Sequence, residues 1–79
     1  MRLTVLYFAA LRDQRGCDGE AIDTTAGTAQ DLWTELAGRH GLTFRRDHLQ
    51  VAIDDEFATW ETPLHDGATV VFLPPVSGG

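Results

Sequence analysis

An α+β fold, with a mixed sheet wrapped around one main helix, is the architecture this 79-residue chain predicts. Three observations carry that expectation. A single clear amphipathic helical stripe runs from Thr28 to His40. Short apolar alternations of the strand type flank it on both sides. The length leaves no room for the repeated helices and parallel strands of a doubly wound sheet, so one small domain is expected.

The elements follow in chain order. Leu3 to Phe8 alternates as a strand, with Leu3, Val5 and Tyr7 on one face and Thr4, Leu6 and Phe8 on the other. Both faces are largely apolar, which implies burial on both sides or one core face and one partner face. Ala9 to Gln14 is rich in helix formers and reads as a short helix ended by Gly16 and Gly19. Glu20 to Thr24, around Ala21-Ile22, reads as a second strand.

Thr28 to His40 is the main helix. Thr28 and Asp31 resemble a capping box. Ala29, Leu32, Trp33, Leu36 and Ala37 share one stripe, and Gly41 fits the left-handed cap. Trp33 is therefore a core residue in this reading. Leu49 to Ile53 is a third alternating strand, and Asp54-Asp55 makes a tight turn into Glu56-Phe57. Three adjacent acids there invite a metal site. Neighbouring residues of a hairpin point in different directions, however, and a hard cation wants more oxygen ligands, so a solvated turn is expected. Thr62-Pro63-Leu64 and Asp66-Gly67 mark turns before a last strand, Thr69 to Leu73. The expected division is a domain over 1–73 and an extended tail over 74–79.

Composition narrows the function classes. A chain this short buries only about 60% of its unfolded surface, so its core is small. Its 43% hydrophobic content is enough for such a core and too high for a disordered chain. Little wall remains for a catalytic pocket, which favours a binding module or a subunit over a stand-alone enzyme. The net charge is −6, with 12 acids against 6 Arg. There is no basic stripe for nucleic acid. The acidity suits a basic protein partner or simply solubility, and both readings stay open. Lysine is absent. Arg is a poor acyl acceptor, so the chain has no side-chain amine to trap an activated acyl group and no lysine through which copies could be linked. A base-composition bias explains the same absence. The single Cys17 lies in a polar loop and forms no internal disulfide. No signal peptide or apolar span occurs, so a cytoplasmic protein with no membrane partner is expected.

The three His residues, at 40, 48 and 65, are scattered without metal-ligand spacing. No nucleophile elbow, Walker loop or dinucleotide fingerprint is present, and Ser77 has no apparent base. No metal site and no bound cofactor is expected.

What stands out is the end of the sequence, Phe72-Leu73-Pro74-Pro75-Val76-Ser77-Gly78-Gly79. Two prolines hold an extended lead-in, and two glycines have no Cβ to block a narrow channel. No charged side chain follows Asp66, so a terminal carboxylate would be the only charge at the tip of a slim apolar peg. A frayed terminus is the plain alternative.

Over its whole length the chain resembles the small subunit of molybdopterin synthase, a ubiquitin-like β-grasp sulfur-carrier family. The resemblance rests on Val5-Leu6-Tyr7-Phe8-Ala9-Ala10-Leu11-Arg12, the Gly27-Thr28 helix entry, Val51-Ala52-Ile53-Asp54, Pro63-Leu64-His65-Asp66-Gly67 and the final Pro-Pro-Val-Ser-Gly-Gly. Pro-Pro-Val is the more specific part, since other sulfur carriers and ubiquitin-like modifiers share Gly-Gly.

The resemblance implies a cycle. A ubiquitin-activating-like adenylyltransferase uses ATP to adenylate the Gly79 carboxylate, and sulfur replaces the adenylate to give a thiocarboxylate. The large synthase subunit takes in the tail, and sulfur passes to a cyclic pterin precursor on the way to the molybdenum cofactor. It also implies a heterotetramer of two large and two small subunits, with the acid and base groups on the large one. Gly79 is then the covalent carrier, Gly78 provides clearance, and Pro74, Pro75, Val76 and Ser77 make tail contacts. Val5, Tyr7, Val70 and Phe72 would pack on the Trp33 helix. Leu6, Phe8, Val71 and Leu73 would face a partner, joined by Phe57 from the resemblance. Arg12 is either a rim charge or a solvated helix residue. Competing expectations are a sulfur carrier for thiamine or tRNA thiolation, a protein modifier, and a plain β-grasp binding module.

Overall fold

The computed structural model describes residues 1–75. Five strands and two helices follow the order β1 (Arg2–Tyr7), α1 (Ala9–Arg15), β2 (Gly19–Asp23), α2 (Ala29–His40), β3 (Gln50–Ile53), β4 (Glu56–Ala58) and β5 (Thr69–Leu73). The strands form one sheet in the order β2-β1-β5-β3-β4. Only the central β1–β5 pair is parallel, so the sheet is mixed.

Alternation decides which side of the sheet is covered. Leu3, Val5 and Tyr7 of β1, Val51 and Ile53 of β3, and Val70 and Phe72 of β5 are all buried. They meet Ala29, Leu32, Trp33 and Leu36 of α2 in one core cluster. Phe72 is its centre, with its ring 5.1 Å from Trp33 and 5.9 Å from Trp60, the latter nearly parallel at 11°. Tilted and offset aromatic pairs of this kind add to the burial itself.

Boundaries differ from expectation by a residue at several points, each for a local reason. Phe8 leaves β1 to become the N-cap of α1, and Ala9 turns the chain with φ at +51°. Gly16 takes the left-handed conformation at φ +87°, so α1 ends there with Arg15 inside it. Thr24 lies beyond β2, where its buried hydroxyl donates to Glu35 Oε1 (2.6 Å) and accepts from Ala26 N (3.0 Å). Thr28 caps α2 from outside, accepting from Asp31 N at 3.2 Å, and Gly41 closes the helix at φ +67°. A 3-10 turn, Arg46–His48, precedes Leu49, so β3 begins at Gln50. Asp54 and Asp55 both have positive φ, +52° and +71°. That is the type I′ geometry that matches strand twist in a two-residue hairpin.

Candidate functional site

Pairing register builds the face of the sheet opposite α2. Leu6 lies beside Gly19 on one side and Val71 on the other. Val71 lies beside Ala52, and Ala52 beside Phe57. Paired residues share a face, so Gly19, Leu6, Val71, Ala52 and Phe57 form one row across all five strands. Leu6, Val71, Leu73 and Ala52 are half-buried, with no second layer over them. Phe57 is 75% exposed and Phe8 is 45% exposed. Apolar side chains grouped this way mark a contact surface.

Gly19 keeps the row flat. A Cβ there would meet Leu6 Cδ2 at 2.8 Å and the Val5 carbonyl at 2.9 Å. Only glycine allows the start of β2 to lie this close to Leu6. Ala52 is the smallest side chain in the row, between Val71 and the protruding Phe57. Gly19 and Ala52 were absent from the expected interface set. Period-two alternation alone places Ala52 opposite Val51 and Ile53, so that residue was legible; the Gly19 contact needs the β1–β2 register.

The parallel β1–β5 pairing aligns the ends of the two strands. Tyr7 lies beside Phe72, which brings Phe8 to the same end of the sheet as Leu73 and the Pro74-Pro75 lead-in. α1 packs against both strands there. Its Arg12 is half-exposed, 3.7 Å from Asp18 and 3.8 Å from Asp13, so its charge sits among acids at the rim of this end. A surface groove of about 610 Å³ opens at the tail root, lined by Asp47, His48, Leu49, Gln50, Leu73, Pro74 and Pro75. Val76, Ser77, Gly78 and Gly79 lie outside the described residues.

A partly buried polar hub holds α1 in place. Tyr7 donates its phenol hydrogen to Glu20 Oε2 at 2.6 Å, and Arg15 grips the same carboxylate through two nitrogens at 2.9 and 3.0 Å. His40, at the end of α2, lies 3.5 Å from Glu20. The Arg15 bonds hold the Glu20 carboxyl below the usual carboxylate range. Burial, then the Glu20 bond, pushes the Tyr7 phenol well above its ordinary value. Tyr7, Arg15 and Glu20 lie on β1, α1 and β2, so one carboxylate ties three elements together, with His40 of α2 beside it. Cys17 is half-buried against the core beside this hub.

The Asp54 turn is more tightly held than a solvated turn would be. Asp54 Oδ1 accepts from Thr69 N (3.0 Å), and Oδ2 meets His65 Nε2 (2.6 Å). Among the described residues no group of three His, Cys, Asp or Glu side chains is placed to hold a metal ion. Among them, too, no helix is long and apolar enough to cross a membrane.

The family model described as the ThiS family matches residues 5–79. The chain belongs to the ThiS family. It is 31% identical over 80 residues to the molybdopterin synthase sulfur carrier subunit of Escherichia coli, covering 98% of this chain and 99% of that protein. Among solved structures it is similar to SAMP1 of Haloferax volcanii, at TM-score 0.84 and 26% identity over 100% of both chains. It is also similar to a chain in the complex of subunits 1 and 2 of molybdopterin-converting factor from Helicobacter pylori. There the TM-score is 0.70 at 28% identity, again over 100% of both chains. The fold is the ubiquitin-like β-grasp, as the family resemblance implied, with the mixed sheet around one main helix that the order of elements predicted.

Proposed function

We propose that this chain is the sulfur-carrier small subunit of a molybdopterin synthase, working in the cytoplasm. The observation that carries the reading is the union of two features at one end of the sheet. The exposed apolar face, with Phe8 and Leu73 at the same end of the sheet, adjoins the Pro74-Pro75 root from which residues 76–79 continue. A large subunit seated on that face would lie next to the tail it has to receive. End-to-end similarity to the Escherichia coli carrier and to the Helicobacter pylori chain supports the same partner.

The chemistry belongs to the terminus. A carboxylate repels nucleophiles, whereas an acyl adenylate made from ATP by a ubiquitin-activating-like enzyme carries AMP as a good leaving group. Sulfur displaces AMP at Gly79 and leaves a thiocarboxylate, whose anionic sulfur is a strong nucleophile. Carried on a short peg, that sulfur reaches a cyclic pterin precursor at high effective concentration. Two sulfurs per dithiolene require two deliveries, and a 2:2 assembly seats one tail at each large subunit, so the second sulfur calls for a second loaded carrier. The domain supplies docking, and the large subunit supplies acid and base groups.

Similarity to SAMP1, a small archaeal modifier protein, favours a second reading as a protein modifier. Intact mass separates the two. Chain recovered from cells that also make the activating enzyme is expected to be heavier by about 16 Da, one oxygen exchanged for sulfur at an activated acyl group. An unchanged mass in the presence of an active activating enzyme would sink the carrier reading. Recovery on the lysines of other proteins would establish the modifier instead.

The docking face gives a second expectation. Phe8→Ala should weaken large-subunit binding about 10-fold or more, as loss of an aromatic anchor does. Its melting temperature should stay near that of the unmutated chain, because Phe8 is 45% exposed. Titration calorimetry alongside thermal unfolding reads both, and unchanged affinity would remove Phe8 from the interface.

A further inference from the structure

The geometry points to His65, in its imidazolium form, as a positioning residue that latches the Phe57-bearing β3–β4 hairpin to the loop feeding β5. The ring bridges two parts of the fold that nothing in their local sequence brings together. Nε2 lies 2.6 Å from Asp54 Oδ2 in the hairpin turn, and Nδ1 lies 3.0 Å from the Asp66 carbonyl oxygen. Both partners are acceptors. A neutral imidazole has one N–H and one lone pair, so it can satisfy only one of them; the doubly protonated ring satisfies both.

The loop on the other side of the latch is well anchored. Asp66 Oδ1 accepts from Arg2 N at 2.7 Å, Gly67 N donates to the Arg2 carbonyl at 2.7 Å, and Ala68 N donates to the His65 carbonyl at 3.1 Å. The hairpin is the weaker side. β4 has three residues and is an edge strand, and Phe57 in its middle is the most exposed large apolar residue on the sheet. Fixing the turn therefore fixes where Phe57 stands. Asp54 carries the connection further, since its other oxygen holds Thr69 N at the first residue of β5.

The charges around the ring agree. Asp54 faces it from the turn, Asp66 lies on its own loop, and Glu56 of β4 borders the same groove of about 420 Å³ as Phe57 and His65. The nearest β1 cation, Arg2, pairs instead with Asp23 at 3.0 Å. The Asp54 bond raises the His65 pKa above its ordinary value. The Thr69 amide, then His65, lowers that of Asp54. A raised His makes its contribution below the ordinary imidazole value and loses it as pH climbs through the raised one. A lowered Asp contributes above the ordinary carboxylate value and loses it on acidification. The latch is thus complete between about pH 4 and pH 6.5 and slackens above.

Amide hydrogen exchange on the isolated chain tests this without any partner. Protection at residues 54–58, corrected for intrinsic exchange, should fall about two- to fivefold between roughly pH 5.5 and pH 8.5, the range open to an exposed ion pair. His65→Ala should show the lower protection at both ends. His65→Arg, a cation throughout, should abolish the pH dependence. Asp54→Asn, which tolerates the same positive φ and can still accept from Thr69 N, should bring the ring titration, followed by NMR, back towards that of a free imidazole. Protection that ignores pH in the unmutated chain, or a pH dependence that survives His65→Ala, overturns the latch. The consequence for docking rests on the carrier reading: large-subunit affinity should fall over the same pH range. If protection follows pH and affinity does not, the latch stands and the placement of Phe57 in that interface fails.

Discussion

Deletion of Gly79 is expected to abolish sulfur transfer and to leave the domain as stable as before. A residue of extended chain spans about 3.3–3.6 Å, so removing one withdraws the acyl group from its target by that distance. Displacements of about 1 Å already cost on the order of 10²-fold in a reaction governed by positioning. A whole residue should therefore reduce turnover by more than about 10³-fold. Adding one residue after Gly79 should be equally damaging, because it replaces the reactive group as well as moving it. Neither change touches the core, whose last buried side chain among the described residues is Phe72. The measurement is pterin dithiolation by the reconstituted synthase, beside a urea titration of each variant. An extended chain that still supports dithiolation would end the carrier proposal, whatever its stability.

Phe72→Ala should have the largest effect on stability. The ring is fully buried between two tryptophans, so truncation removes transfer free energy and leaves a cavity that two large rigid rings are poorly placed to fill. Phe→Ala at such sites costs about 3–5 kcal/mol. A domain of this size has only about 4–12 kcal/mol to lose. At about 4–8 °C per kcal/mol, the melting temperature should fall by 12 °C or more. Val71, the next residue, is only half-buried on the opposite face, and its truncation should be much milder. A Phe72→Ala chain that unfolds at the unmutated urea midpoint would contradict the packing described.

The contrast between Phe72 and Val71 was visible in the sequence. Alternation needs only the two-residue period of a strand, and Val5, Tyr7, Val70 and Phe72 fell on one side as that period requires. The α2 stripe and its caps at Thr28 and Gly41 were equally plain, because helix periodicity and capping act within a few residues. The 3-10 turn at Arg46–His48 was not, since three polar residues carry no period.

The candidate site divides along the same line. Local patterns were enough to nominate Leu6, Phe8, Val71 and Leu73 for one face, and the composition of the tail was enough to nominate its end. The order of strands was needed to join Gly19, Leu6, Val71, Ala52 and Phe57 into one row, because which strand sits beside which is a property of the whole sheet. The parallel β1–β5 pair, between strands at opposite ends of the chain, is what brings Phe8 to the tail root. The polar contacts were hidden most deeply. Glu20 with Arg15 and Tyr7, and His65 with Asp54, are hydrogen-bonded groups whose partners lie on other elements. Hydrophobic burial repeats along a chain and so leaves a pattern; a single directional bond between distant residues leaves none until folding closes the distance.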